Sequence, residues 1–233
     1  MMYKIFVKGS GHVVCHSLTK NWIAYSTNNC MRLLSTKNSL EVVETNLSPC
    51  SVMAFTKDHL VTAGKNIQRL NLTNHEIENI TYSGPLITAL SVSDEYIAVH
   101  NTANRVIVYS GTEVHFTLPE WESWVTAMTL TKGSTLTVAF ETNEFLVFEL
   151  KTRTLHHFSH KYGSKFPSNY LKEPNRTFGL RSLRKHQLLL NTWYSYTIID
   201  LRSPPPKRSA IKLKRPKATW NSILADHPLH GEV

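Results

Sequence analysis

The chain has 233 residues, a hydrophobic fraction of 41% and a net charge of +9, enough apolar material for one domain with a buried core. No apolar run reaches the roughly 18 residues that span a membrane as a helix. Residues 1–11 hold neither a long apolar stretch nor a cleavage-like site, so no secretory signal is read and the chain is expected inside the cell, away from membranes.

Short apolar strands then recur along the chain. The first group covers residues 22–26, 31–34 and 40–43. The second opens with Val52-Met53-Ala54-Phe55 and continues through residues 59–63 and 66–70. Ile87-Thr88-Ala89-Leu90 opens the third, followed by residues 96–99 and 105–109. Val125-Thr126-Ala127-Met128 opens the fourth, followed by residues 135–140 and 144–148. A fifth is built from residues 177–180, 187–190 and 196–201. The runs are rich in Val, Ile, Leu, Thr and aromatics, many alternate, and helical periodicity is weak. Asn28-Asn29, Lys132-Gly133 and Thr142-Asn143 suit hairpin turns. Several strands per period of about 35–50 residues predict an all-β, WD40-like β-propeller of about five degenerate blades. Five blades cannot close a seven-bladed ring alone, so the expectation includes an incomplete ring.

Two stretches break the rhythm. Residues 161–176 are polar and marked by Pro167 and Pro174, as in a long loop. From Arg202 the pattern stops, and Pro204-Pro205-Pro206 cannot enter a central strand. The expected division is a partial propeller over 1–201 and a basic, disordered tail over 202–233, in which residues 220–224 are able to dock as a short segment.

The charge is uneven. Residues 1–150 carry 10 Lys+Arg against 13 Asp+Glu, a net of −3, while residues 151–233 carry 16 against 4, a net of +12. That asymmetry suggests a polyanionic partner such as RNA, against a plainly solvated basic tail. The candidate phosphate-contacting residues are Lys207, Arg208, Lys212, Lys214, Arg215 and Lys217, within eleven residues free of acids. Lys161, Lys165, Lys172, Arg176, Arg181, Arg184 and Lys185 form a second basic group beside the long loop. The same tail density also serves as a nuclear-import signal, and both readings stay open.

Other chemistry is thin. Gly9-Ser10-Gly11-His12 lacks the Lys-Ser/Thr of a phosphate loop and reads as a turn. No G-x-S-x-G elbow anchors a hydrolase triad, and no carboxylate pair is placed for acid–base work. His156 and His157 point to opposite faces of a strand and, with His160, read as rim residues rather than a metal site. Cys15, Cys30 and Cys50 are odd in number with no C-x-x-C pair. They read as buried or neutral thiols, not a disulfide framework or zinc site. The sequons at Asn46, Asn71, Asn79 and Asn175 read as chance matches. Trp121 and Trp124 read as packing between adjacent blades, with stacking on a base as the alternative. No enzyme, cofactor or small-molecule substrate is expected.

Residues 114–206 resemble the C-terminal part of the cirhin family, U3 small nucleolar RNA-associated protein 4. The similar residues are His115-Phe116-Thr117-Leu118-Pro119, Val125-Thr126-Ala127, Leu136-Thr137-Val138-Ala139-Phe140 and Phe145-Leu146-Val147-Phe148-Glu149-Leu150, closing with Leu188-Leu189-Leu190 and Ile198-Ile199-Asp200 before the prolines. Family members are about three times longer and resemble two joined WD-repeat propellers, so this chain would match the last part of the second. It departs from them in ending on a basic tail. The resemblance implies a non-catalytic scaffold of the small-subunit processome, in the nucleus and nucleolus, with other processome subunits and pre-ribosomal RNA as partners in maturation toward 18S rRNA. The rival readings are a WD-type protein–protein adaptor without RNA contact and a propeller enzyme.

Overall fold

A computed structural model describes residues 13–36, 41–43, 45–118, 121–131, 134–141, 144–152, 154–159, 177–184, 187–192, 196–200 and 207–211. Every regular element among them is a strand. They form five antiparallel sheets of four consecutive strands. The first holds β1 (Val13–Leu18), β2 (Trp22–Thr27), β3 (Met31–Ser35) and β4 (Glu41–Val43). The second holds β5 (Val52–Phe55), β6 (His59–Ala63), β7 (Ile67–Asn71) and β8 (Ile77–Ile80). The third holds β9 (Ile87–Val92), β10 (Tyr96–Asn101), β11 (Val106–Ser110) and β12 (Glu113–Thr117). The fourth holds β13 (Val125–Leu130), β14 (Thr135–Phe140), β15 (Glu144–Glu149) and β16 (Thr154–Ser159). The fifth holds β17 (Thr177–Arg184), β18 (Gln187–Thr192), β19 (Tyr196–Asp200) and β20 (Lys207–Ile211).

The first strand of each sheet touches the first strand of the next: β1 on β5, β5 on β9, β9 on β13 and β13 on β17. Five sheets joined in this way through their inner strands are five blades of a propeller, as the recurrence predicts. The second to fifth predicted repeats each gain a fourth, outer strand (β8, β12, β16 and β20), an edge that periodicity scarcely marks. Side-chain pairs hold β8 in place. Arg69 Nε donates to Glu78 Oε2 at 2.7 Å, and Gln68 Nε2 donates to Asn79 Oδ1 at 2.9 Å. The first repeat also begins one strand earlier than expected, at β1. Lys207–Ile211, expected in the disordered tail, pairs with β19 as the outer strand of blade 5. The 161–176 loop and the rest of the tail lie outside the described residues, as do the turns expected at Lys132-Gly133 and Thr142-Asn143. Asn28-Asn29 does join β2 to β3.

Alternation along the strands splits the core into layers between blades. Ala24, Met31 and Leu33 of blade 1 meet Met53, Leu60 and Leu70 of blade 2. Val61, next to Leu60 on β6, and Ile67, three positions before Leu70 on β7, face the other way and meet Ile87, Ile97, Val99 and Tyr109 of blade 3. Blade 3 turns Tyr96, Ala98, Val106 and Val108 onto Met128, Leu136, Val138, Phe140, Leu146 and Phe148 of blade 4, where Phe116 stacks on Phe148 at 4.3 Å. The opposite face of blade 4, on the side of β17, carries buried Thr129, Thr135 and Thr137 beside Ala139 and Val147. There the Thr137 Oγ1 is buried and, among the described residues, has no hydrogen-bond partner.

Candidate functional site: the hairpin rim

In a four-stranded antiparallel blade, the turn between the second and third strands and the link to the next blade emerge at the same end. One rim of the propeller therefore collects β2–β3, β6–β7 and β10–β11 hairpins together with the β4–β5, β8–β9 and β12–β13 links. A short-range network fixes this rim at blades 3 and 4. Asn104, at the left-handed φ of 59° in the β10–β11 hairpin, tolerates that conformation better than most side chains. Its Oδ1 accepts the Val125 N–H at 2.9 Å, and its Nδ2 donates to the Ser123 carbonyl at 3.0 Å. His100 Nε2 lies 3.1 Å from the same Oδ1, and Thr88 Oγ1 lies 3.1 Å from His100 Nδ1. An Nε2–H tautomer satisfies both contacts. Burial pushes the His100 imidazole below its ordinary pKa, offset in part by the Asn104 hydrogen bond, so the ring is held neutral.

Asn101 repeats the device one step earlier. Its Oδ1 accepts the Ala103 and Arg105 N–H groups, each at 3.1 Å, and its Nδ2 donates to Tyr82 Oη at 3.1 Å. Tyr82 in turn donates to the Pro85 carbonyl. Gly84 makes this fold possible, because a Cβ there would collide with the Tyr82 ring. The β8–β9 link, the β10–β11 hairpin and the β12–β13 link are thus tied together by side chains.

Beside them opens a groove of about 1060 Å³, lined by Tyr82, Pro85, Arg105, Tyr109, Val114 and Trp121 among others. Trp121 stacks on Phe140 with centroids 5.4 Å apart, so its role is packing, as expected. Trp124 departs from that expectation: it is 52% exposed. Leu86 is 45% exposed and stands at the equivalent place, one residue before an inner strand. The backbone confirms the equivalence, since Glu141 N–H donates to the Trp124 carbonyl at 3.0 Å and Thr102 N–H to the Leu86 carbonyl at 2.9 Å. The rim thereby presents two large apolar side chains in register on successive blades. Leu86 also borders a second hollow of about 410 Å³, with Val14, Asn28, Pro49, Cys50 and Lys65.

Four of the predicted basic residues are described, and they lie on two strands of blade 5. Arg181 and Arg184 lie on β17, in register with Leu189 and Gln187. Lys207 and Arg208 lie on β20, in register with Asp200 and Ile199. The two pairs occupy opposite edges of blade 5, three strand spacings or roughly 14 Å apart. Lys161, Lys165, Lys172, Arg176, Lys185, Lys212, Lys214, Arg215 and Lys217 lie outside the described residues. His156 and His157 are successive residues of β16, in register with Val147 and Leu146, as the strand reading expects; His160 lies outside the described residues. Sequence reasoning missed Leu86, His100, Asn101 and Asn104. The only signal for them was the Asn-Thr-Ala-Asn turn between two apolar runs.

No family model matches the sequence. No curated protein matches it either. Among solved structures the fold is similar to Hsv2 of Kluyveromyces marxianus, with a TM-score of 0.65 and 12% identity over 89% of this chain and 72% of that one. It is similar in the same way to Hsv2 of Kluyveromyces lactis, with a TM-score of 0.64 and 12% identity over 89% and 74%. Hsv2 is a seven-bladed WD40-type propeller, and five blades of seven match the covered share of it. The chain has the fold of a WD40-type β-propeller.

Proposed function

We propose that this chain is a non-catalytic assembly scaffold that docks partner proteins on its hairpin rim. The observation that carries the reading is the pair Leu86 and Trp124, exposed in register beside the groove of about 1060 Å³. Exposed aromatic and aliphatic side chains around a concave, hydrogen-bonded frame are the usual anchors of protein recognition. The frame is preorganised by the Asn101 and Asn104 networks, so little ordering entropy is lost on docking.

Within that scaffold role, the resemblance of residues 114–206 to cirhin supports a place in the small-subunit processome, in the nucleolus, with processome subunits as partners. The net charge of +12 over residues 151–233 supports contact with pre-ribosomal RNA through phosphates rather than bases. The test is recovery of the tagged chain from nuclear extract, with and without RNase, scored for processome subunits and U3 small nucleolar RNA. The scaffold reading expects both, and expects the protein partners to be lost from a Leu86→Asp/Trp124→Asp variant. Recovery of protein partners that ignore RNase, with no U3 RNA, would leave an adaptor without RNA contact. The apolar character of the rim makes that adaptor the second reading, behind the scaffold. Partners unaffected by the rim variant would overturn the docking role.

A further inference from the structure

The hollow bordered by Leu86 has a feature that partner docking does not use. Cys15 on β1 and Cys50 on the β4–β5 link place their Sγ atoms 3.7 Å apart. The two residues are 35 positions apart, one on blade 1 and the other on the link that enters blade 2. Each is held where it is. Cys15 pairs with Ser26 across β1 and β2, and the Ser26 hydroxyl accepts the Cys50 N–H at 3.0 Å. Cys15 Sγ also approaches the Cys50 carbonyl at 3.4 Å. Cys50 itself lines the 410 Å³ hollow, as does the exposed Lys65. A thiol pair in contact, anchored on both sides and served by an opening to solvent, is built for oxidation.

We propose that Cys15 and Cys50 form a reversible disulfide that clamps blade 1 to blade 2 at the rim. The oxidant class is a small disulfide such as oxidised glutathione, whose carboxylates suit Lys65. The Cys50 thiolate attacks one sulfur of the oxidant, its S–S bond breaks, and one glutathione thiolate leaves. Cys15 gives up its proton and attacks the Cys50 sulfur of the mixed disulfide, releasing the second glutathione. Two protein thiols are oxidised, one glutathione disulfide is reduced to two thiols, and the two protein protons end on them. The hydrogen bond from Cys15 lowers the Cys50 pKa, while the same contact pushes Cys15 up, which assigns the first attack to Cys50. Cys30 sits apart in the β2–β3 turn, hydrogen-bonded to Thr27, and takes no part.

The test treats the full chain with oxidised glutathione, then alkylates it and measures intact mass and thermal melting. The expected result is one alkylatable thiol, at Cys30, and a peptide linking Cys15 to Cys50. The melting temperature should rise by about 8–15 °C, the scale for closing a loop of this length in a domain of this size, and dithiothreitol should reverse it. Cys30→Ser should behave like the parent, and Cys15→Ser should show neither link nor shift. Three alkylatable thiols after oxidation, or a link through Cys30, overturns the proposal. Should Cys15→Ser fold poorly, Cys50→Ala supplies the same control.

Discussion

The layers joining blades 1 to 4 and the face that blade 4 turns toward β17 are built from the same strands but by different chemistry. Blade 4 shows both at once. Its even-numbered residues Met128, Leu130, Leu136, Val138 and Phe140 pack into blade 3. Its odd-numbered neighbours Thr129, Thr135 and Thr137 are as deeply buried on the other side. An apolar layer gains free energy with every methylene removed from water. A threonine layer gains less and must find partners for its hydroxyls, and among the described residues the Thr137 hydroxyl has none. Per buried side chain, the first kind of layer contributes more to stability than the second.

The comparison is broken most directly on the apolar side. Phe140 is fully buried and carries Trp121 on its ring. Phe140→Ala should cost about 3–5 kcal/mol in urea unfolding and release the β12–β13 link that bears Trp124. A matched pair on one strand sharpens it. Leu136→Thr imports a hydroxyl into the apolar layer and should cost about 2–3 kcal/mol. Thr137→Val removes, at constant shape, a buried hydroxyl with no partner among the described residues and should stabilise by about 1 kcal/mol. Similar losses from both would show that the two faces do not differ.

Smaller effects test the rim. The folded His100 pKa lies below the unfolded value of about 6.5. Its contribution to stability is therefore complete above that value and is lost as pH falls through the lowered folded value. The urea midpoint should drop between pH 7.5 and 5.5, and His100→Gln should flatten that slope. Trp124→Ser should change stability by less than about 0.5 kcal/mol, since the side chain is more than half exposed, while weakening partner capture. A large loss of stability there would make Trp124 a core residue after all.

The sequence made some of this legible and hid the rest for physical reasons. The inner three strands of blades 2, 3 and 4 stood out because both faces of a central strand are buried, which gives runs such as Tyr96-Ile97-Ala98-Val99. The outer strands did not. Ile77-Glu78-Asn79-Ile80 holds its place by polar pairs with β7, and Lys207-Arg208-Ser209-Ala210-Ile211 reads as a basic tail until β19 is seen beside it. β1 was missed because Val14, His16 and Leu18 are exposed, so it carries little alternation of buried and polar residues. The rim was nearly invisible, since Asn104 acts through the backbone of Ser123 and Val125 and Asn101 through the Tyr82 hydroxyl, all about twenty positions away. Leu86 and Trp124 gain meaning only once the blades are superimposed.

The central claim is that partners dock on the hairpin rim through Leu86 and Trp124. Hydrogen–deuterium exchange on the tagged full chain, alone and in the complex recovered from nuclear extract, tests it most directly. The account predicts slowed exchange in the complex at the β8–β9 link, the β10–β11 hairpin and the β12–β13 link, with the β9–β10 and β13–β14 turns on the opposite rim unchanged. Protection confined to that opposite rim, or to the outer strands alone, would contradict it.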